Sequence, residues 1–373
     1  NKLASLNTDN LSDDEKKNKI KAMRFLLTKI KEDNKRIEQL LQYKLNEEQE
    51  QEQEQEEQDV PTIYKCIKNP MTTIKELIEV GNLYEKYKDD DDIYFNIDLK
   101  AIYNLQEPLK KLDKMVGLND IKKNIAQKIT FYIQHLENKN NDFLHTLLYG
   151  SPGTGKTELG HIIGKIYSAL GFLSSDNVII AHADDFIGSV VGQTALKTRS
   201  ILDKAVGGVL IIDEAYALGS KDGKSYVDDF INTLLPFLTE HRSNFVCILM
   251  GYKKDIEDTL LNRNKGLRRR FPNSYELQNY NMEELRNILI TKINEYGWYY
   301  ETDAFPIKLF NEHKNSFKNN GGSMENLFKE IKIAHAQRVL YYPPEKKKTI
   351  NSQDFKIGLR TYTKSVEKNE NKN

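Results

Sequence analysis

The feature that constrains this chain most is an eight-residue segment, residues 150–157, with the pattern Gly-x-x-x-x-Gly-Lys-Thr. An apolar, β-rich run at 144–149 precedes it, and apolar residues at helical spacing, beginning with Leu159 and Ile162, follow it. In such a strand–loop–helix context the glycines let the backbone fold around phosphate, and the N–H groups and helix N-terminus supply positive potential. The segment therefore predicts a phosphate-binding loop rather than an ordinary glycine-rich turn.

Two side chains of this loop carry most of the expected chemistry. Lys156 is expected to reach the β- and γ-phosphates of ATP, and Thr157 to ligate Mg²⁺. The predicted nucleotide contacts in this segment are Ser151, Pro152, Gly153, Thr154, Gly155, Lys156, Thr157 and Glu158.

A second apolar run, residues 208–212, leads directly into an acidic pair, Asp213 and Glu214. A buried strand that ends this way delivers both carboxylates to the carboxyl edge of the sheet, where ligands bind in open α/β folds. Asp213 is expected to hold Mg²⁺, directly or through water. Glu214 is expected to orient and polarise the attacking water.

Apolar, strand-like runs alternate with helical patterns from about residue 112 onwards. The runs lie at 144–149, 178–181, 208–212 and 245–250, and each is too short for a helix. This alternation is typical of an α/β fold whose parallel sheet is covered on both faces.

The C-terminal part predicts a small helical domain without further strands. Asn281 and Glu284 form a capping-box pattern, and Ser323 is expected to cap a second helix over residues 324–342. The predicted domains are an extension with an acidic linker (1–59), a helical linker region (60–111), the α/β domain (112–280), and the small helical domain with its tail (281–373).

The N-terminal extension has its own pattern. Asn34 falls at a core position of a heptad seam, where a polar side chain can fix register. The seam fits either a coiled coil or a single amphipathic helix packed on its own domain. The glutamate-rich run 47–59 fits either a solvated helix end or a disordered linker. The apolar seam positions are Ile20, Met23, Leu27, Ile30, Ile37 and Leu41.

Charge and cysteine content narrow the partners and the compartment. With 55 basic and 55 acidic residues the net charge is zero, which supplies no global field for nucleic acid or an anionic membrane. The sequence contains no run of about 18 apolar residues, so we expect no membrane-spanning helix. Cys66 and Cys247 form no disulfide framework, so we expect a reducing compartment such as the cytoplasm. Organelle targeting stays open, because the sequence does not begin with Met.

Three adjacent arginines, Arg268, Arg269 and Arg270, form a basic cluster. Such a cluster can be a surface patch or a nucleic-acid contact. In a ring-shaped ATPase, one of them can instead reach the γ-phosphate bound by the neighbouring subunit as an arginine finger. The phosphate loop elsewhere in the chain favours the finger.

Together these motifs resemble the CbxX/CfxQ family of AAA+ ATPases, which includes red-type rubisco activases. The resemblance covers about residues 111–339 and implies a P-loop NTPase AAA+ domain with a five-stranded parallel sheet, a helical lid and a helical or coiled-coil N-terminal extension. It also implies Mg²⁺-dependent ATP hydrolysis by a homo-oligomeric, hexameric ring. It rests on Met-Val-Gly-Leu at 115–118, the phosphate loop, ADDFIGSVVGQTALKTRSILDKAVGGVLIIDEAYAL at 183–218, and GLRRRFP at 266–272.

The resemblance also implies roles for particular residues. Val116 and Gly117 would line the adenine. Tyr252 would take the sensor-1 position, where a polar side chain faces the γ-phosphate. Arg270 would be the finger, with Arg269 and Arg268 behind it.

The sequence departs from the family pattern in two places. The first pore loop usually carries an aromatic where this chain has Val190 followed by Val191, with Phe186 upstream as a candidate substitute. The lid helix usually carries arginines, including sensor 2, where this chain has Gly322 and Glu325. We therefore expect weak, local remodelling, and hydrolysis that is slow or differently controlled.

The leading hypothesis is an ATP-driven ring that remodels a protein client. One alternative is a motor that acts on nucleic acid, since fold does not fix function; the zero net charge counts against it. The other is a nucleotide-gated assembly scaffold that hydrolyses little, which the missing sensor-2 arginine favours. Salt-dependent DNA binding would identify the motor, and turnover stimulated by a client would exclude the scaffold.

Overall fold

The chain divides into two compact units. The first contains α1 (Asp13–Gln58) and β1 (Ile63–Lys65), and the second contains nearly all of the remaining chain. Strand β1 pairs with β2 (Ile93–Phe95), and the rings of Tyr64 and Tyr94 stack with centroids 5.6 Å apart. The computed structural model describes residues 13–58, 63–68, 71–90, 92–136, 142–190, 192–219 and 224–370.

Helix α1 confirms that the N-terminal seam is helical. It runs unbroken for 46 residues, and the seam side chains Ile20, Ile30 and Ile37 are each more than half exposed. The helix continues through the acidic run as far as Gln58, so the helical alternative is correct for that run; Asp59 lies outside the described residues. The pairing of such helices into a coiled coil stays a prediction.

The second unit is built on a parallel sheet of five strands, which confirms the predicted fold class. The strand order is β4-β5-β6-β3-β7, and every neighbouring pair is parallel. The strands are β3 (Thr146–Gly150), β4 (Val178–His182), β5 (Val209–Asp213), β6 (Val246–Gly251) and β7 (Asn273–Leu277).

The helices of this unit follow the expected alternation with the strands. Short 3₁₀ or π turns lie at 215–219, 257–261, 314–316 and 344–346. In the described residues the α-helices are α2 (Ile74–Tyr87), α3 (Leu99–Asn104), α4 (Gln106–Lys114), α5 (Asn119–Tyr132), α6 (Lys156–Ala169), α7 (Ala183–Phe186), α8 (Gln193–Ala205), α9 (Lys224–Glu240), α10 (Lys253–Ile256), α11 (Lys265–Arg270), α12 (Met282–Glu295), α13 (Ile307–Glu312), α14 (Asn320–Arg338) and α15 (Ser352–Glu370).

Alternate residues of the central strands belong to two hydrophobic cores, one on each face of the sheet. Leu148 and Ile211 pack with helices α2 to α6, whereas Leu147 and Ile212 pack with helices α7, α8, α9 and α11. Because strand side chains point alternately to opposite faces, continuous apolar runs are needed to bury both. Helices α2 to α4, from the predicted linker region, share the first of these cores; the predicted domain boundaries themselves stay a prediction.

A third core lies among the C-terminal helices, from Leu285 to Tyr362, and forms the predicted lid. The capping box of Asn281 and Glu284 is present at the start of α12. The prediction for Ser323 was wrong: α14 begins at Asn320, and the buried Ser323 Oγ accepts a hydrogen bond from the amide of Asn319. Four extra residues are helical because this helix start lies against the phosphate loop, a tertiary contact that local capping rules do not include.

The expectation that strands stop after Tyr280 was also wrong in detail. Two-residue strands, β8 (Tyr299–Tyr300) and β9 (Thr349–Ile350), pair in parallel within the lid. A strand of two residues is too short to produce an apolar run that can be recognised in the sequence.

Two further features concern membrane-spanning helices and the cysteines. Among the described residues, no helix combines the length and apolar character needed to cross a membrane. Cys247 is buried in β6, where burial raises the pKa of its thiol, and Cys66 is exposed. The buried thiol is the inert kind expected of a cysteine inside a sheet.

Candidate functional site

The phosphate loop connects the end of β3 to the start of α6, at the carboxyl edge of the sheet. Gly153 and Gly155 have φ angles of 73° and 91°, a left-handed conformation that glycine adopts without strain. A side chain at Gly153 would also collide with the carbonyl oxygen of Asn319. The loop therefore needs glycine both for its path and for the close approach of the lid.

Lys156 bends back over this loop. Its ammonium donates to the carbonyl oxygens of Gly150 and Ser151, both at 2.9 Å. Burial lowers the pKa of the ammonium, and the carboxylates of Asp213 and Glu214 oppose that shift. A lysine held in this way is placed to exchange two neutral carbonyl partners for the charged oxygens of a phosphate.

The acid pair meets the loop at the end of β5. The hydroxyl of Thr157 donates to the Oδ2 atom of Asp213 at 3.5 Å, so the two predicted Mg²⁺ ligands are neighbours. A hydroxyl and a carboxylate are hard oxygen donors, and a site that keeps waters and phosphates as its other ligands suits Mg²⁺. The donor set therefore fits the predicted metal.

Glu214 is held in an unusual backbone conformation. Its φ is 50°, in the left-handed region that side-chain-bearing residues rarely adopt, and its amide donates to the Oδ1 atom of Asp213 at 2.9 Å. Its side chain is exposed in the cleft. Strain of this kind concentrates at functional sites, where surrounding contacts enforce it.

A cleft of about 560 Å³ opens beside these residues, large enough for a nucleotide. Val116 lines it, whereas the neighbouring Gly117 instead faces Glu284 and Tyr280. Ser151 and the buried Thr154 are not among its lining residues. The predicted site residues that line it are Val116, Pro152, Gly153, Gly155, Lys156, Thr157, Glu158, Asp213, Glu214 and Tyr252.

The lid donates hydrogen bonds to the carbonyl groups of the phosphate loop. The Tyr280 hydroxyl donates to the oxygen of Thr154 at 2.9 Å, and the Gly321 amide donates to the oxygen of Gly153 at 2.9 Å. Asn320, at a φ of 48°, adds a bond from its side-chain amide to the oxygen of Pro152 at 3.2 Å. Sequence reasoning missed these contacts; the adjacent glycines after Asn320 were the available signal.

Tyr252 follows β6 and lines the cleft, 39% exposed. Its ring centroid lies 5.7 Å from that of Tyr216, a second cleft tyrosine that the sequence motifs did not single out. Burial, with help from the carboxylate of Glu214, raises the pKa of Tyr216. The Tyr216 hydroxyl therefore remains a hydrogen-bond donor at neutral pH, beside the predicted sensor-1 residue Tyr252.

The arginine cluster lies outside the lining of its own cleft. Arg270 is half-buried: its Nε donates to the Thr239 hydroxyl and its Nη1 to the Gly266 carbonyl, both at 2.9 Å. Arg269 is exposed. A finger that acts on a neighbouring subunit must lie away from its own cleft, as this cluster does.

The first pore loop corrects one expectation. Phe186 was a candidate to replace the missing aromatic, but its ring is fully buried and packs edge-on against Phe230, 5.2 Å away. Val190 is 62% exposed and Leu196, at the start of α8, is 73% exposed; Val191 lies outside the described residues. Any apolar grip at this loop therefore comes from aliphatic side chains.

Comparisons with known proteins agree with this geometry. The model of the ATPase family associated with various cellular activities (AAA) matches residues 146–275. A cfxQ-like protein of Acanthamoeba polyphaga mimivirus is 32% identical over 301 residues, which cover 79% of this chain and 74% of that protein. Stage V sporulation protein K of Bacillus subtilis is 31% identical over 68% of this chain and 83% of its own length. A chloroplastic cbbX homolog of Guillardia theta is 34% identical over 56% of this chain and 57% of its own length.

Two of these relatives share more than 30% identity with the chain over most of their own length. The family model covers the phosphate loop and the acid pair, and the five-stranded parallel sheet with its helical lid is the fold that the motifs implied. The chain is an AAA ATPase, and it belongs to the CbxX/CfxQ family.

Proposed function

We propose that this protein hydrolyses ATP with Mg²⁺ in a hexameric ring and uses the energy to remodel a protein client. The observation that carries the proposal is the convergence of Lys156, Thr157, Asp213 and Glu214 on one cleft. These four side chains supply the cation, the two metal ligands and the base that phosphoryl transfer to water needs.

Each group has a distinct part in the proposed reaction. The loop amides and Lys156 hold the phosphate chain, while Thr157 and Asp213 hold the metal. Mg²⁺, when bound, neutralises charge that develops on the phosphate oxygens. Glu214 takes the proton of the attacking water, and Tyr252 orients that water or the γ-phosphate from the end of β6.

Lys156→Ala is expected to weaken ATP and ADP binding about 100-fold or more, because charged hydrogen bonds to phosphate are lost and the desolvated cleft keeps its carboxylates. Titration with a fluorescent nucleotide measures this. The matched control is Lys165→Ala on the same helix, where the ammonium lies 3.6 Å from Glu107. Tight binding by Lys156→Ala would remove the basis of the assignment.

Family membership supports the proposed ring. AAA domains commonly act as oligomeric rings, and the relatives include a sporulation protein and proteins of an ESX-3 secretion system. The zero net charge supports a protein client over nucleic acid.

The grip on that client is expected to be weak. Val190 and Leu196 expose aliphatic surface, and a valine contributes about 1.5 kcal/mol on burial, near the bottom of the range for large apolar side chains. We therefore propose local remodelling rather than processive threading of whole proteins.

Val190→Asp is expected to abolish ATP-coupled remodelling while leaving nucleotide binding intact, since a carboxylate disrupts an apolar grip. Val190→Tyr is expected to increase unfolding of a tagged test protein, measured by loss of its fluorescence. Ser189→Asp, one residue earlier, controls for charge alone. Full unfolding of a stable client by the natural protein, at a rate that Val190→Tyr does not improve, would contradict the weak grip.

A further inference from the structure

The nucleotide cleft is short of positive charge on its lid side. Among the described residues its lining contains no arginine, and three lysines face five carboxylates: Lys114, Lys156 and Lys292 against Glu158, Asp213, Glu214, Glu295 and Glu325. A polyphosphate needs cations beyond Lys156 and the metal, because uncompensated carboxylates repel it. A lysine on the lid side of the cleft could supply part of that charge.

Lys292 is such a lysine. It lies in α12, lines the cleft, and its side chain is only 29% exposed. Its ammonium lies 2.6 Å from the Oε1 atom of Glu325, which stands where the family pattern has an arginine. The position of that arginine is thus occupied by a carboxylate that holds a lysine from another helix.

The pair lies near the contact between the lid and the phosphate loop. Glu325 lies three residues after Gly322 in α14, on the same side of the helix one turn along. The amide nitrogen of Gly322 lies 3.0 Å from where a Cβ atom of Gly153 would be. The Lys292–Glu325 pair is therefore about one helical turn from the contact between the lid and the phosphate loop.

We propose that Lys292 makes the lid's positive contact with the terminal phosphate of bound ATP, and that Glu325 positions its ammonium for that contact. This inference rests on the proposed ATP site. The loop amides hold the α- and β-phosphates, so the terminal phosphate is the group left exposed to the lid. Glu325 is 65% exposed, and water screens such a pair, so the ammonium leaves it readily for a doubly charged phosphate.

The test compares the binding of ADP and of a non-hydrolysable ATP analogue, both in the presence of Mg²⁺. Lys292→Ala is expected to weaken the ATP analogue about 10-fold or more and ADP less than about threefold, since only ATP carries the contacted group. Lys292→Arg is expected to keep most of the preference. Lys308→Ala is the control, because Lys308 is a lid lysine 3.9 Å from Glu312 and outside the cleft lining.

The role of Glu325 is tested by a double-mutant cycle. Glu325→Gln is expected to change ATP affinity in the natural protein and to leave it unchanged in Lys292→Ala, because the carboxylate acts through the lysine. An equal change in both backgrounds would overturn the positioning role. Equal losses of ATP and ADP in Lys292→Ala, or losses no larger than in Lys308→Ala, would overturn the contact itself.

The outcome for Lys156→Ala separates this inference from the proposed function. If Lys156→Ala binds no nucleotide and Lys292→Ala behaves like its control, only the lid contact fails. If Lys156→Ala binds nucleotide normally, the cleft is not the ATP site and both proposals fail. Thermal unfolding of each nucleotide-free variant confirms that a loss of affinity is not a loss of folding.

Discussion

Glu214→Gln is expected to bind ATP with nearly unchanged affinity and to hydrolyse it at least about 100-fold more slowly. The amide keeps the size of the side chain but accepts no proton from the attacking water, and general-base catalysis contributes about 10²- to 10⁴-fold. Release of phosphate under single-turnover conditions measures the chemical step directly. Glu276→Gln is the control, because Glu276 pairs with Lys253 at the end of β7 and does not line the cleft.

Near-normal turnover by Glu214→Gln would assign the base elsewhere in the cleft. The expected result has a further use, because a protein held in its ATP-bound state retains what it acts on. Affinity capture with Glu214→Gln and ATP, compared with Lys156→Ala under the same conditions, should enrich the client. A protein captured equally by both variants binds independently of nucleotide and is not the substrate of an ATP-driven cycle.

Arg270→Ala is expected to act on the neighbouring subunit rather than on its own. If Arg270 is the finger, ATP turnover falls by up to about 10³-fold. Adding the variant to the natural protein then lowers turnover by more than simple dilution does. Mixing the two proteins at several ratios and measuring ATP turnover gives the dependence. Sedimentation with ATP must first show the ring.

Arg269→Ala is the matched control for this experiment. Arg270 is bound to Thr239 and Gly266 of its own subunit, whereas Arg269 is exposed. A linear fall in activity with the fraction of Arg270→Ala would show that it is no finger. If only Arg269→Ala inhibits natural subunits beyond simple dilution, the finger is Arg269 and not Arg270.

The middle strands β5 and β6 could be predicted from sequence because they are buried on both faces. Residues 208–212 and 245–250 read as continuous apolar runs, and strands at Val209–Asp213 and Val246–Gly251 confirm the prediction. The edge strand β7 alternates buried Tyr275 with exposed Glu276, so no apolar run marks it. Its place beside β3 depends on pairing across more than 120 residues of chain.

The residues of the candidate site also divide into those that the sequence could predict and those that it could not. The phosphate loop and acid pair were recognisable because their chemistry is carried by neighbouring residues. Lys292 and Tyr280 were not, because each reaches the cleft from a helix or loop whose local sequence has no phosphate signature. Phe186 shows the opposite error: proximity in sequence to the pore loop suggested exposure, but packing against Phe230 buries it.

The bonds between the lid and the carbonyl oxygens of residues 152–154 have a mechanical consequence. The N–H groups of this loop are the ones expected to bind phosphate, while the opposite ends of its peptide groups accept from Asn320, Gly321 and Tyr280. Hydrogen bonds at the two ends of one peptide group polarise and strengthen each other. Phosphate bound on one side is therefore expected to strengthen the bonds on the other, so that opening the lid would require these three bonds to break or the loop to deform. We therefore expect occupancy of the nucleotide site to affect the lid through these three peptide groups.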